Sequence, residues 1–182
     1  NEQEWFEFKE NWFEPVQLGE YISALSNAAA YHSEENAYFI WGVNDKTHEI
    51  VGTTFNQYRD YNKEPYQNYL ARNLSPSIGF EFEELEMDGK RVVVLTIPAA
   101  KNVPTAFDES RYIRIGSSKA NLKDYPEREK KLFRLLDQGI DTIENTPAQY
   151  QKLTFRKLFG YFGSKGIVLR EERFEDNLWL RT

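Results

Sequence analysis

The stretch FEFEELEMDGKRVVVLTI, residues 80–97, decides the fold class. Its first half alternates loosely between apolar and polar residues, its second half holds the apolar run 92–97, and Asp88-Gly89 lies between the two. A two-residue Asp-Gly connection between strand-like runs is typical of a tight β-hairpin. We therefore expect antiparallel strands over 78–87 and 92–97.

The patterns on either side of this hairpin predict further elements: strands over 5–10, 38–43, 49–52 and 111–115, and helices over 18–29, 66–74 and 126–138. Regular βαβ units are missing from this order, so a doubly wound fold is not expected. The sequence predicts an α+β (mixed α/β) domain, in which a compact, mainly antiparallel or mixed sheet is flanked by helices.

A change in composition divides the chain near residue 141. Residues 141–151 include Asn145, Thr146 and Pro147 and lack a clear period, whereas 155–163 again has a helical pattern. We expect one domain over 1–140. We expect 141–182 to be a linker and the start of a small C-terminal helical extension, with more protein beyond this piece.

Composition excludes several classes of site. The 182 residues contain no cysteine and two histidines, so a thiolate zinc site, a disulfide scaffold or a cysteine nucleophile is excluded. Carboxylates would have to supply a metal site, which favours Mg²⁺ or Mn²⁺. No apolar run approaches the roughly 20 residues of a membrane span, and the opening residues are acidic. We expect a cytoplasmic protein without a membrane partner.

Charge is distributed unevenly along the chain. The net charge of -6 argues against coating nucleic acid by charge alone. Residues 111–134, however, hold eight basic and three acidic side chains. Such a local excess of cations is compatible with a phosphate-binding surface.

Three carboxylates form a candidate catalytic and metal-binding cluster: Glu2, Glu7 and Asp45. Glu7 lies on the first predicted strand, and Asp45 follows the second. Neighbouring strands would bring the two acids to one rim of the sheet, where converging carboxylates can hold a divalent cation. The alternative is that each is a solvated surface charge.

The segment 114–119 is the candidate nucleic-acid contact. Arg114 ends a strand, Ser117 and Ser118 supply hydroxyls, and Lys119 adds a second cation; Lys9 on the first strand adds another. Backbone amides, hydroxyls and cations together are suited to phosphate. The alternative is an ordinary turn followed by a solvated helix with internal salt bridges.

Several segments in order resemble the Schlafen AlbA domain: Glu2-x-x-x-x-Glu7-Phe8-Lys9, Tyr21-Ile22-Ser23-Ala24-Leu25-Ser26-Asn27, Trp41-Gly42-Val43-Asn44-Asp45, Asp88-Gly89-Lys90-Arg91 and Tyr112-Ile113-Arg114-Ile115-Gly116-Ser117-Ser118. The match runs from about residue 2 to about residue 137. Two departures are Ala28-Ala29-Ala30 in place of the family's Gly-Gly pair and Asn44-Asp45 in place of Asp-Asp.

The resemblance implies a nucleic-acid-binding, chiefly DNA-binding, domain of a bacterial transcriptional regulator. It also implies an alternative, because some animal relatives are metal-dependent nucleases that cleave structured RNA with acids at the positions of Glu2, Glu7 and Asp45. A third possibility is a dimerising or partner-binding module. Nucleic acid, DNA or RNA, is the expected partner, with a homodimer as a further option.

Overall fold

The computed structural model describes residues 3–138, and ten strands and three α-helices form within that range. The strands, in chain order, are β1 (Phe6–Lys9), β2 (Asn36–Trp41), β3 (Asp60–Tyr61), β4 (Glu64–Pro65), β5 (Leu74–Ser75), β6 (Glu81–Met87), β7 (Lys90–Pro98), β8 (Ala106–Phe107), β9 (Ser110–Ile115) and β10 (Ser118–Asn121). The helices are α1 (Pro15–Tyr31), α2 (Tyr66–Asn73) and α3 (Pro126–Gln138), and a 3-10 turn spans Leu122–Asp124.

The first sheet has the order β1-β2-β7-β6; β1 and β2 are parallel, and the other pairs are antiparallel. The predicted hairpin is confirmed: β6 and β7 are antiparallel, and Met87 pairs with Lys90 on either side of the turn. Asp88 and Gly89 between them have φ of 52° and 70°. Positive φ at both central residues is typical of a type I′ turn, whose twist matches that of the flanking strands.

The second sheet has the order β10-β9-β8-β5 and is antiparallel throughout. A two-residue turn, Gly116-Ser117, joins β9 to β10, and Ile115 pairs with Ser118 beside it. A short ribbon of β3 and β4 stands apart from both sheets. Together with the three helices, these sheets confirm the predicted α+β class.

Helix α1 packs against β2 and β7 of the first sheet and against β8, β9 and β10 of the second. Its apolar side buries Leu18, Ile22 and Leu25 in the main core. Gly19 permits a close approach to β8, because a Cβ at this position would lie 2.1 Å from the ring of Phe107.

The opposite side of α1 is polar and still buried. The Asn27 side chain donates to the carbonyls of Thr105 and Tyr112 and accepts from the Thr105 amide, each at 2.8 Å. The Ser23 hydroxyl donates to the Thr105 carbonyl and accepts from the Tyr112 amide. These bonds satisfy backbone groups of Thr105, just before β8, and of Tyr112 within β9, and thereby fix the strand that carries Arg114.

Some expectations are corrected. Residues 49–52 do not form a strand; an isolated bridge between Val43 and Ile50 takes its place. Residues 118–121 were not predicted to pair, yet they form β10. Within 3–138, no helix has the length and apolar character needed to cross a membrane. The predicted boundary at 141 and the helix over 155–163 lie outside the described residues.

Candidate nucleic-acid interface

The segment that opens β1 and the turn between β9 and β10 meet at one edge of the domain. Glu7 on β1 forms an ion pair with Arg114 on β9. Just ahead of β1, the Glu4 carboxylate accepts a hydrogen bond from the Gly116 amide at 2.7 Å. The acidic start of the chain and the Arg-Gly-Ser turn are therefore side by side.

Glu7 lies between two cations. One carboxylate oxygen is 2.6 Å from Nζ of Lys9, and the other faces Nη1 of Arg114. Glu7 is 7% exposed and Arg114 is completely buried. Since isolated buried charges are costly, each of these groups depends on the other for compensation.

Asp45 lies at the exposed turn that follows β2, and its charge reaches the same lysine. Burial by itself lowers the pKa of Lys9. The hydrogen bond and negative charge of Glu7, with a smaller effect of Asp45, outweigh burial and raise the pKa of Lys9 above its ordinary value. Lys9 is thus held as a cation beside Glu7.

The ring of Tyr21 on α1 lies beside Arg114 and Lys119. Nζ of Lys119 lies 4.8 Å from the centre of its ring, and the Arg114 guanidinium lies 5.8 Å away. Burial, followed by the charge of Glu7, raises the pKa of the Tyr21 hydroxyl. Lys119 also contacts Glu20, which accepts a hydrogen bond from the Tyr112 hydroxyl at 3.1 Å.

A second network surrounds Glu4. Its carboxylate binds Nε2 of His32 at 2.7 Å and Nη1 of Arg128 at 2.8 Å, in addition to the Gly116 amide. Partial burial by itself raises the pKa of the Glu4 carboxyl. The hydrogen bonds from Arg128, Gly116 and His32 outweigh that effect, and the pKa of Glu4 lies below its ordinary value.

The predicted nucleic-acid contacts differ in accessibility. Ser117 and Ser118 are exposed, and the side chains of Lys9 and Lys119 are 23% and 15% exposed. Arg114 was expected to face a phosphate, but it is buried beneath them and faces Glu7. Its position corrects that expectation: the side chain supports the surface from below.

The predicted carboxylate cluster is only partly visible. Glu2 lies outside the described residues. Glu7 pairs with Lys9 and Arg114, and Asp45 lies in the exposed turn after β2, from which its charge acts on Lys9. Within 3–138, no group of three histidine, aspartate or glutamate side chains is placed to hold a metal ion. Both oxygens of Glu7 already face cations, so a Mg²⁺ or Mn²⁺ ion at Glu7 would meet two positive charges. The arrangement of Glu7 and Asp45 does not fit such an ion.

Sequence patterns did not reveal the Glu4 network. Arg128 on α3 and His32 after α1 both bind Glu4, from positions 124 and 28 residues away in the chain. Local spacing carries no signal for contacts over such separations; only the fold brings them together.

The chain is similar to several solved structures. No curated protein matches the chain. The DIP2311 protein of Corynebacterium diphtheriae is similar at 17% identity and a TM-score of 0.45, over 65% of this chain and 22% of that one. A second similar structure is the N-terminal domain of an ATP-dependent DNA helicase RecG-related protein from Nitrosomonas europaea, at 22% identity and a TM-score of 0.33. That match covers 65% of this chain and 82% of the other. This chain therefore spans about a fifth of the first of these two proteins.

A family model covers the segments that meet at the interface. The model described as Schlafen, AlbA_2 matches residues 2–123, which include β1, α1 and the β9–β10 hairpin. The match covers more than half of the 182 residues. The chain therefore belongs to the Schlafen AlbA_2 family.

Proposed function

We propose that this domain binds nucleic acid, as the DNA-binding part of a cytoplasmic transcriptional regulator. The contact surface is the Tyr21 face, which we define as Lys9, Tyr21, Ser117, Ser118 and Lys119. The observation that carries the proposal is that Lys119 lies 4.8 Å from the centre of the Tyr21 ring, beside a turn with two exposed serines. Lys9 from the other sheet pairs with Glu7, whose second oxygen faces Arg114 of the same hairpin.

Each part of the Tyr21 face has a role in holding a phosphodiester. Lys9 and Lys119 supply charge, and the serine hydroxyls and the turn amides supply hydrogen bonds. The buried Glu7 and Arg114 fix β1, from which Lys9 projects, and β9, where Arg114 pairs with Lys119 of β10. Such a surface binds the backbone and positions the duplex, whereas it reads little base sequence.

The proposal is tested by the affinity of the 182-residue protein for fluorescent duplex DNA, measured by anisotropy at several salt concentrations. The variant Lys9→Ala plus Lys119→Ala is expected to bind more weakly. The slope of log affinity against log salt should fall by about two, one for each phosphate that a lysine no longer neutralises.

The matched control is Lys63→Ala plus Lys101→Ala, which removes the same charge from two exposed lysines elsewhere. It should leave both affinity and salt slope close to those of the wild type. Equal losses of affinity in the two double variants would contradict the assignment of the Tyr21 face. A structured RNA of the same length, run in parallel, decides between DNA and RNA as the preferred ligand.

The alternative function is a metal-dependent endoribonuclease that uses Glu2, Glu7 and Asp45. These three acids stand at the positions that the family resemblance assigns, although both oxygens of Glu7 face cations in the described structure. Incubation of structured RNA with the protein and Mn²⁺, beside Asp45→Ala, separates the two functions. Cleavage that requires Mn²⁺ and is abolished by Asp45→Ala would replace the binding proposal with the enzyme.

A further inference from the structure

Three hydrogen-bond donors from distant parts of the fold converge on one carboxylate. The Gly116 amide of the β9–β10 turn, Nε2 of His32 after α1 and Nη1 of Arg128 on α3 all lie within 2.8 Å of an oxygen of Glu4. Arg128 is itself oriented by the carbonyl of Arg114 at 3.2 Å. A backbone amide, an imidazole and a guanidinium together are a donor set suited to an anion with several oxygens.

The cluster opens to solvent. Gly116 and His32 are exposed, and the side chain of Arg128 is 29% exposed. An anion from solution can therefore reach the same donors without a rearrangement of the core. Glu4 is the only carboxylate among the described residues that accepts from all three donors.

Aromatic and cationic side chains surround this opening. The ring of Trp5 lies 5.1 Å from that of His32. Nζ of Lys131 lies 4.1 Å from the centre of the Tyr31 ring, and Arg128 lies 5.1 Å from it. Rings interleaved with cations are typical of surfaces that bind single-stranded nucleic acid, through stacking and charge.

Within residues 3–138, the hydrogen bonds of the Glu4 carboxylate are those with these three donors. It belongs to a turn ahead of β1, where the Phe6 amide donates to the Gln3 carbonyl at 3.1 Å. Its side chain can leave the donors while the ladder between β1 and β2 stays intact, since that ladder begins at Phe6 and Tyr38. A competing anion would have to replace one carboxylate, and no strand would have to separate.

We propose that Gly116, His32 and Arg128 form a phosphate subsite, and that Glu4 occupies it until a phosphate group of the nucleic-acid backbone displaces it. The inference rests on the proposed function for the identity of the ligand. It adds a second contact region to the Tyr21 face, and it assigns Glu4 the role of an internal competitor.

The subsite is tested with inorganic phosphate as the probe. Phosphate is titrated into the ¹⁵N-labelled 182-residue protein, and the Gly116 amide and the His32 ring are followed by NMR. Because Glu4 blocks the donors in the wild type, Glu4→Ala should bind phosphate at least about tenfold more tightly. The double variant Glu4→Ala plus Arg128→Ala should lose that gain.

Glu64→Ala is the matched control, because it also removes one carboxylate from a glutamate–arginine pair, the one with Arg72. Its phosphate affinity should equal that of the wild type. If Glu4→Ala does not fold, Glu4→Gln retains the shape of the side chain and should show a smaller gain. A folded Glu4→Ala or Glu4→Gln protein whose Gly116 amide shows no saturable shift would overturn the subsite.

Duplex and single-stranded DNA binding by the same variants distinguishes this failure from failure of the proposed function. If phosphate shifts Gly116 in Glu4→Ala but no variant binds nucleic acid, the subsite stands and the proposed function fails. If the wild type binds through Lys9 and Lys119, and Glu4→Ala changes neither DNA nor phosphate binding, the function stands and the subsite fails.

Discussion

Glu7 and Arg114 form a buried ion pair that joins β1 of the first sheet to β9 of the second. No strand pairing connects these two sheets within the described residues, so side chains such as these and the buried face of α1 link them. The geometry of the Tyr21 face therefore depends on a charged contact in the interior. Substitutions at this pair should affect stability as well as binding.

The first prediction concerns that pair. Arg114→Ala leaves Glu7 buried and paired with Lys9 alone among residues 3–138, and breaking a buried pair typically costs about 3–5 kcal/mol. We expect the free energy of unfolding, measured with urea, to fall by about 3 kcal/mol. Arg72→Ala, which removes the arginine of an exposed pair with Glu64, should cost less than about 1 kcal/mol. Similar losses of stability for the two variants would contradict the importance of the buried pair.

The second prediction concerns Asn27, which satisfies three backbone groups of Thr105 and Tyr112 from a completely buried position. Asn27→Asp replaces the amide donor by an acceptor opposite two carbonyls and buries a charge. We expect it to lower the free energy of unfolding by about 3 kcal/mol or more, because each unsatisfied buried group costs about 1–3 kcal/mol. Urea unfolding checks the value.

Asn56→Asp is the control for Asn27. Asn56 is exposed, and its side chain accepts a hydrogen bond from the Tyr58 amide at 2.9 Å, a role that aspartate keeps. Its effect should be within about 0.5 kcal/mol. An Asn27→Asp protein as stable as Asn56→Asp would mean that the hydrogen bonds of Asn27 contribute little to the stability of the fold.

Elements with strong local signals were predictable from the sequence. The turn residues Asp88 and Gly89 were enough to predict the hairpin between β6 and β7. Helix α3 runs over Pro126–Gln138 as predicted, because a proline at its start and an amphipathic pattern define it. By contrast, β5 and β8 have two residues each, which is too short for any period. Their pairing is a consequence of tertiary packing.

The sequence drew attention to Glu7, Lys9 and Lys119, but it did not reveal how they are arranged. The ion pairs of Glu7 with Lys9 and Arg114, and the complete burial of Arg114, were not foreseen. In β9, Arg114 alternates with Ile113, which is typical of a strand with one solvated face. Here Glu7 from the other sheet compensates the charge, so the polar face is covered as well. Such compensation depends on residues far away in the sequence.

The third prediction concerns the contact between α1 and β8. A methyl group at Gly19 would lie 2.1 Å from the Phe107 ring, so Gly19→Ala forces either the ring or the helix to move. Overpacking of this kind costs about 1–3 kcal/mol, which exceeds the gain in helix propensity of about 1 kcal/mol. Thermal unfolding should show a lower Tm.

Two further variants test the cause at Gly19. In the background Phe107→Leu, the smaller side chain leaves room, and Gly19→Ala should cost less than it does with the phenylalanine present. Val16→Ala, at an exposed position of the same helix, should leave Tm almost unchanged. A Gly19→Ala protein with raised Tm would show that α1 and β8 are not in close contact.

The last prediction concerns the pH dependence of the Glu4 network. The pKa of Glu4 is lowered in the folded protein from an ordinary value of 4.5, so the folded state favours the ionised carboxylate. Its contribution to stability is therefore fully present above about pH 4.5, and it is lost as pH falls through the lowered pKa of the folded state.

We expect Glu4→Gln to be less stable than the wild type near neutral pH, by about 2 kcal/mol for hydrogen bonds to a charged group. The difference should shrink below about pH 4.5 and vanish once the Glu4 carboxyl is protonated. Urea unfolding of both proteins between about pH 3 and pH 7 measures this difference. A difference that stays constant down to about pH 3 would show that the Glu4 carboxylate is not what the Gly116 amide and Arg128 stabilise.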